Sequence, residues 1–279
     1  MSGVAIVTDS TADFAGTEPA DLAITVVPLT VNWGKDVLRD RIDVTTSEFY
    51  ERLRTDREIP HTAAPPLGIF EEVYRGLLAQ HDAVVSVHIA ATLSATHSVA
   101  SAAARAVDQS RVHVIDSATT TVTLGWLAQA AAELGRDGAP AQTIIGELQD
   151  MIPRLRILLT LDTLEYLQRG GRIGRAQAFL GGLLNVKPVL ECRHGEIYPV
   201  ERVRTRPAAI RRVAEIVQQL GPKERIAIAH SDCEDEARTF AAEVARQEGV
   251  PTVPIAEIGS VVGTHTGPGV LGIGCLLAR

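Results

Sequence analysis

The sequence predicts an α/β protein made of two α/β domains with mainly parallel sheets, residues 1–150 and 151–279, and three observations predict it. Short β-branched apolar runs alternate with segments of helical period along the whole chain. A turn-rich stretch, "GRDGAPAQ" at 135–142, interrupts that pattern near mid-length. Hydrophobic residues fill 46% of the 279 positions, enough for a core in each half. Aromatics are only 4%, so Ala, Val, Leu and Ile must build the interior.

The elements follow in order. "VAIVTD" (4–9), "ITVVPLTV" (24–31), "AVVSVHI" (83–89) and "VHVID" (112–116) read as buried parallel strands. Helices fit 66–80, with Pro66 at its start, the small-residue segment 94–108, and 120–134, which is apolar on most sides and so well buried. Past the break come a helix at 141–152, a strand at 156–161, a helix at 162–169 and a glycine-basic segment. A strand at 186–192 turns at "RHGE" into a second at 197–203, followed by a helix at 206–220, a strand at 225–231, a helix at 234–248 and two final strands.

Composition excludes several classes. No run of 18 apolar residues occurs, so no membrane span is expected. "MSGVAIVTDS" lacks a basic n-region and reads as a first strand, not a secretion signal. A net charge of −7 argues against nucleic-acid binding, which needs a basic face. Three scattered cysteines without C-x-x-C point to reduced thiols in a cytoplasm.

Enzyme motifs fail on context. Gly267, Gly269 and Gly272 match G-x-G-x-x-G, but the seven residues after Gly272 read as a strand, leaving no room for the helix, second strand and acidic residue the fingerprint requires. There is no P-loop, G-x-S-x-G or H-E-x-x-H. His230 and Asp232 alone are weak evidence for a metal. Ser94 with His265 stays open as the pair of an acyl hydrolase, because triads assemble from distant positions.

Polar residues gather where strands end, the place where open α/β sheets bind ligands. The clusters are "TDST" (8–11, with Ser10), "HIAATLSATHS" (88–98, with Ser94 and Thr96) and "DSATTT" (116–121, with Ser117). Helix capping is the default account of each. In "PHTAAPPLGIF" (60–70) three prolines hold Thr62 in an extended segment, either as a rigid turn or to fix its hydroxyl for a ligand. "QRGGRIGRAQAFLGGLLNVKP" (168–188) carries Arg169, Arg172 and Arg175. It reads either as a helix capped at Gly170 with solvated arginines, or as a loop for an anionic partner. Its "AFLGGLLNV" suits a ligand tunnel or docking face. "THT" (264–266) is a short polar rack ahead of Gly-Pro-Gly.

"IVTDSTAD", "TAAPPLGIF", "ATLSATHSVA", "VIDSATTT", "LEYLQRGGRIGRAQAFLGGLLNVKPVL" and "VGTHTGPGVLGIG" together resemble the DegV family over nearly the whole chain. The resemblance implies a long-chain fatty acid in a tunnel between two α/β domains and no other cofactor. It implies a non-catalytic subunit that presents the fatty-acid carboxylate to a separate ATP-dependent fatty acid kinase subunit, for acyl-phosphate formation and phospholipid synthesis. Carried over by position, Thr62, Ser94 and His265 would hold the carboxylate. Ser10, Thr96, Ser117 and Thr266 are further candidate contacts, and Arg169 and Arg172 would lie near the mouth, facing the kinase or the transferred phosphate. Two departures stand out: "TAAP" replaces the family's Thr-Ser-Gln-Pro, and "LSAT" replaces Leu-Ser-Gly-Thr. The first puts Ala63 and Ala64 in place of two polar side chains and the second Ala95 in place of glycine; Thr62, Ser94 and Thr96 stay in place.

Overall fold

The computed structural model describes residues 3–16, 19–56, 58–180 and 186–279. Its first half runs β1 (Val4–Asp9), β2 (Ile24–Val27), β3 (Thr30–Trp33), β4 (Asp36–Arg39), α1 (Thr46–Thr55), β5 (His61–Ala63), α2 (Leu67–Leu78), β6 (Ala83–His88), α3 (Thr96–Val107), β7 (Val112–Asp116), α4 (Thr121–Arg136) and α5 (Ala141–Met151). The second runs β8 (Leu155–Thr160), α6 (Glu165–Arg169), β9 (Lys187–Arg193), β10 (Glu196–Val203), α7 (Arg206–Gln219), β11 (Lys223–His230), α8 (Glu234–Glu248), β12 (Ile255–Glu257), α9 (Ser260–Thr266) and β13 (Leu271–Leu277).

The mixed α/β class is as expected, and one sheet, ordered β2-β1-β6-β7, is wholly parallel. The six-stranded sheet, β10-β9-β8-β13-β11-β12, departs from the expectation of mainly parallel pairing. Among the described residues its only parallel joint is β11 with β12; the others are antiparallel. Two causes operate. The first is the hairpin expected at "RHGE": a tight turn at His194–Gly195, both with positive φ, folds β10 back on β9. The chain then re-enters after α9 and threads β13 between β8 and β11. Strand β13 looks parallel in sequence because it is covered on both faces, being buried at every position but its last.

α4 lies between the two sheets, as its all-round apolar surface predicts, and shares one core with residues of both, including Ile6, Val85, Ile157 and Leu159. It approaches closely enough that a side-chain carbon on Gly125 would lie 2.4 Å from the Asp13 carbonyl oxygen. Helices α7 and α8 cover the far side of the six-stranded sheet around Val213, Val217 and Phe240.

Three elements differ from expectation. The run 24–31 is two strands in two sheets, because Pro28 has no N–H to continue the ladder. β3 instead joins β4 and β5 in a small antiparallel sheet, where Thr62 pairs with Val31. Helix α1, not among the expected elements, begins with a complete capping box, Thr45 with Glu48, within "TTSE". Helix α9 lies between the two expected final strands; three glycines within and around it conceal its helical period.

Candidate ligand-binding site

Loops at the carboxyl ends of β6 and β7 meet β5, α9 and the β9–β10 hairpin around a cavity of about 240 Å³. Thr62, Ser94, Arg172, His265 and Thr266 stand in its wall with the apolar Leu29, Ile89, Leu93, Leu167, Ile197 and Val262. A smaller, almost wholly apolar chamber of about 50 Å³ continues inward between Ile157, Leu159, Ala229, Ile258 and Val270. It shares Thr120, Leu167, Ile197, Val262 and Thr266 with the first. On the other side lies a recess of about 200 Å³ that includes His61, Tyr166 and Arg169 and shares Thr62, Arg172 and His265 with the cavity. Thr62, Arg172 and His265 therefore form the partition between an outer recess and an apolar interior.

At that partition the Thr62 hydroxyl and His265 Nε2 share a hydrogen bond of 2.8 Å. His265 Nδ1 is buried and makes no hydrogen bond among the described residues. Burial, reinforced by the positive Arg172 nearby and by His61, lowers the His265 pKa to about 4, so the ring is neutral at pH 7. Gly170 makes room for it: a side-chain carbon there would stand 2.2 Å from His265 Nδ1. That glycine caps α6, as expected, but its φ of −73° suits any residue, so the space and not the backbone demands glycine.

Ser94 sits on a loop tied down from several sides. Buried Asp9 accepts from the Ile89 N–H (3.0 Å), while the Ala90 N–H donates to the Thr119 carbonyl (2.9 Å). From the other half, Arg172 Nε donates to the Leu93 carbonyl (3.0 Å) and its Nη1 to the Gly170 carbonyl (2.6 Å). Thr92 Oγ1 donates to the Gly195 carbonyl. Burial would push the Asp9 carboxyl up, but His88, Thr11 and the Ile89 N–H outweigh it and hold the group below the usual carboxylate range. Behind it a buried chain of hydrogen bonds runs from His88 through Ser86 to Tyr74.

Residues 3–277 of this sequence match the family model for DegV, a family described as uncharacterised proteins. The chain belongs to the DegV family. It is 37% identical to the Protein DegV of Bacillus subtilis over 274 residues, covering 97% of this chain and 98% of that one. Among solved structures it is similar to a DegV-family protein from Thermus thermophilus described by its fatty acid binding (TM-score 0.88, 32% identity, 99% and 100% of the two chains). It is equally similar to B. subtilis DegV, described as a fatty acid binding protein (TM-score 0.88, 35% identity, 98% and 99%).

Within this DegV fold the residues singled out from the sequence divide into two groups. Thr62, Ser94, Arg172, His265 and Thr266 reach the cavity wall. Thr96 is fully buried, and its hydroxyl and N–H contact Ser94 Oγ at 2.9 and 3.2 Å. Ser10 and Ser117 stand apart from the cavity wall. Ser10 Oγ accepts from the Leu29 N–H, and the Ser117 hydroxyl braces the turn to Thr119. From "DSATTT" it is Thr120 that lies in the wall, its hydroxyl without a hydrogen-bond partner among the described residues. Sequence alone could not choose between them, because which hydroxyl turns inward depends on the turn geometry.

The arginines are not equivalent. Arg169 is 54% exposed and paired with Glu165, and Arg175 is exposed and paired with Glu196, whereas Arg172 turns inward. The expected tunnel or docking segment "AFLGGLLNV" lies partly, at 181–185, outside the described residues. The Ser94 hydroxyl bonds Thr96 and the His265 ring bonds Thr62, so the two lack the nucleophile–base hydrogen bond of a hydrolase pair among the described residues. Asp232 pairs with Arg54, and His230 Nδ1 accepts from the Cys233 N–H, which accounts for both without a metal.

Proposed function

We propose that this DegV-family chain binds a long-chain fatty acid, its carboxylate at Thr62, Ser94 and His265 and its acyl chain running inward past Leu167, Ile197 and Val262. The observation that carries this reading is the polarity of the cavity: Thr62 and His265 stand at the partition towards the outer recess, Ser94 stands in the same cavity wall, and the inner chamber is almost wholly apolar. Each buried methylene contributes ~0.8 kcal/mol, so about 14 give roughly 11 kcal/mol before the cost of association. The polar end then fixes orientation, because a carboxylate is tolerated out of water only when hydrogen-bonded.

The same reading makes the chain a non-catalytic, cytoplasmic carrier that presents the carboxylate to a separate ATP-dependent kinase subunit, supplying acyl phosphate for phospholipid synthesis. Arg169, exposed beside the outer recess, suits that encounter, and Thr266 and Thr120 are the further wall hydroxyls available to the ligand. We also divide the chain into domains near residue 150, where α5 passes into the six-stranded sheet. No helix among the described residues is long and apolar enough to cross a membrane.

Gentle denaturation of the purified protein with lipid mass spectrometry tests the reading. One fatty acid per chain, lost in Ser94→Ala/His265→Ala, is the expected outcome. An empty wild-type protein that also refuses added palmitate and oleate would overturn it.

A further inference from the structure

His265 belongs to a helix that most of its neighbours in sequence do not hold. Helix α9 has glycine every fourth position, Gly259, Gly263 and Gly267, counting the residues that flank it. Those three positions meet three fixed features. A side-chain carbon on Gly259 would lie 2.9 Å from the Arg41 guanidinium and 3.4 Å from Asp13 Oδ1. One on Gly263 would lie 2.5 Å from the Tyr50 hydroxyl, and one on Gly267 2.3 Å from the Tyr166 ring. Val262, His265 and Thr266, by contrast, reach the cavity. The glycines thus let the helix backbone rest directly on side chains, three of them (Asp13, Arg41 and Tyr50) from the first half of the sequence.

Hydrogen bonds fix where along that seat the helix stops. Asp13 Oδ1 accepts from the Gly259 N–H at 3.2 Å and pairs with Arg41. The Tyr50 hydroxyl donates to the Ile258 carbonyl at 2.9 Å. Asp13 and Tyr50 are each 1% exposed. Burial raises the Asp13 pKa to about 7 against the opposing Arg41, so its charged form is costly at this seat, while its Oδ1 accepts from Gly259 in either protonation state. The glycine notches admit only a glycine at each of the three points, and the directional bonds from Asp13 and Tyr50 hold the backbone of the seven-residue helix in that one register.

We propose that Asp13 and Tyr50 are positioning residues for His265, setting the register of α9 so that the imidazole meets Thr62 across the cavity. This rests on the fatty-acid reading for its consequence, though not for its geometry.

The test uses the full chain with Tyr50→Phe, which keeps the ring, and Asp13→Asn, which keeps an acceptor for Gly259 but not the charge for Arg41. Affinity for palmitate is measured by displacement of a fluorescent fatty acid, in the wild-type and His265→Ala backgrounds. Each change should weaken binding about five- to tenfold when His265 is present, and less than about twofold when it is absent. In parallel, the ring ¹⁵N resonances of His265 in ligand-free protein should move in both variants, although neither residue touches the imidazole. Equal losses in the two backgrounds, or unmoved His265 resonances in Tyr50→Phe, would overturn the proposal. A wild-type protein that binds no palmitate sinks the fatty-acid reading instead, and the resonances still decide the positioning claim.

Discussion

Placing a neutral imidazole in a buried wall couples His265 to both its neighbours and the pH. Gly170→Ala would drive a methyl into the ring, so it should destabilise the protein by about 1–3 kcal/mol through overpacking. It should also weaken ligand retention, although Gly170 has no side chain to offer. Thermal unfolding and fatty-acid content of the same preparation check both effects. The titration has a definite sign. With a folded pKa of about 4 against an ordinary 6.5, the unfolded chain takes up a proton that the folded one refuses between those values. Stability from this group is therefore intact above pH 6.5 and declines as pH falls towards 4, by up to about 3 kcal/mol. Asp13 titrates with the opposite sense, because its raised pKa makes ionisation cost stability as pH rises towards 7. The His265 contribution is thus read as the difference between wild type and His265→Gln in urea unfolding at pH 7 and pH 5. That difference should shrink at the lower pH.

Short elements set the site, and their stability is borrowed from packing. β5 is three residues long and is kept extended by pairing with β3 and by prolines on either side, so Thr62 has little freedom. α1 carries Phe49, Tyr50 and Leu53 into a small core with Leu29, Val31, Trp33 and Val261, which joins the first half of the sequence to α9. Its capping box is exposed and local. Thr45→Ala should therefore cost about 1 kcal/mol in chemical denaturation and leave the acyl preference unchanged. Gly267 differs in kind from the other two glycines of the seat. Its φ of 74° with ψ near 180° is a conformation open essentially to glycine alone, and it ends the helix so that the chain can turn into β13. Ser231 holds that turn, donating to the Gly267 carbonyl and accepting from the Val270 N–H, both at 2.8 Å.

For the molecule as a whole, the cavity exists because two sheets share α4 as a common wall and fail to close completely at the carboxyl ends of the parallel strands. Its inner limit is set by the six-stranded sheet, where Ala229 of β11 faces the inner chamber. Ala229→Leu would fill space that the acyl chain would otherwise occupy. Lipid mass spectrometry on protein isolated from the same cells should show a shift to shorter acyl chains. An unchanged chain-length distribution in a stably folded variant would place the end of the acyl chain elsewhere.

The strand and helix alternation, the buried α4 and the mixed α/β class were legible because local apolar period and turn residues determine them. So was the family, through "RGGRIG" and "THTGPG", and with it a short set of candidate residues. In the six-stranded sheet the antiparallel β9–β10 hairpin was legible from its turn, but the direction of β13 against β8 and β11 was not, since a strand covered on both faces shows the same apolar run whichever way its neighbour points. Nor was the choice of Thr120 over Ser117, or of Arg172 over Arg169 as the inward side chain, because each depends on which way a turn faces. Helix α9 shows the difference most clearly. Its glycines argue against a helix locally, and only the rings of Tyr50 and Tyr166, brought from distant parts of the chain, make close backbone packing favourable there. Sequence determined which side chains were available; long-range packing decided which of them meet.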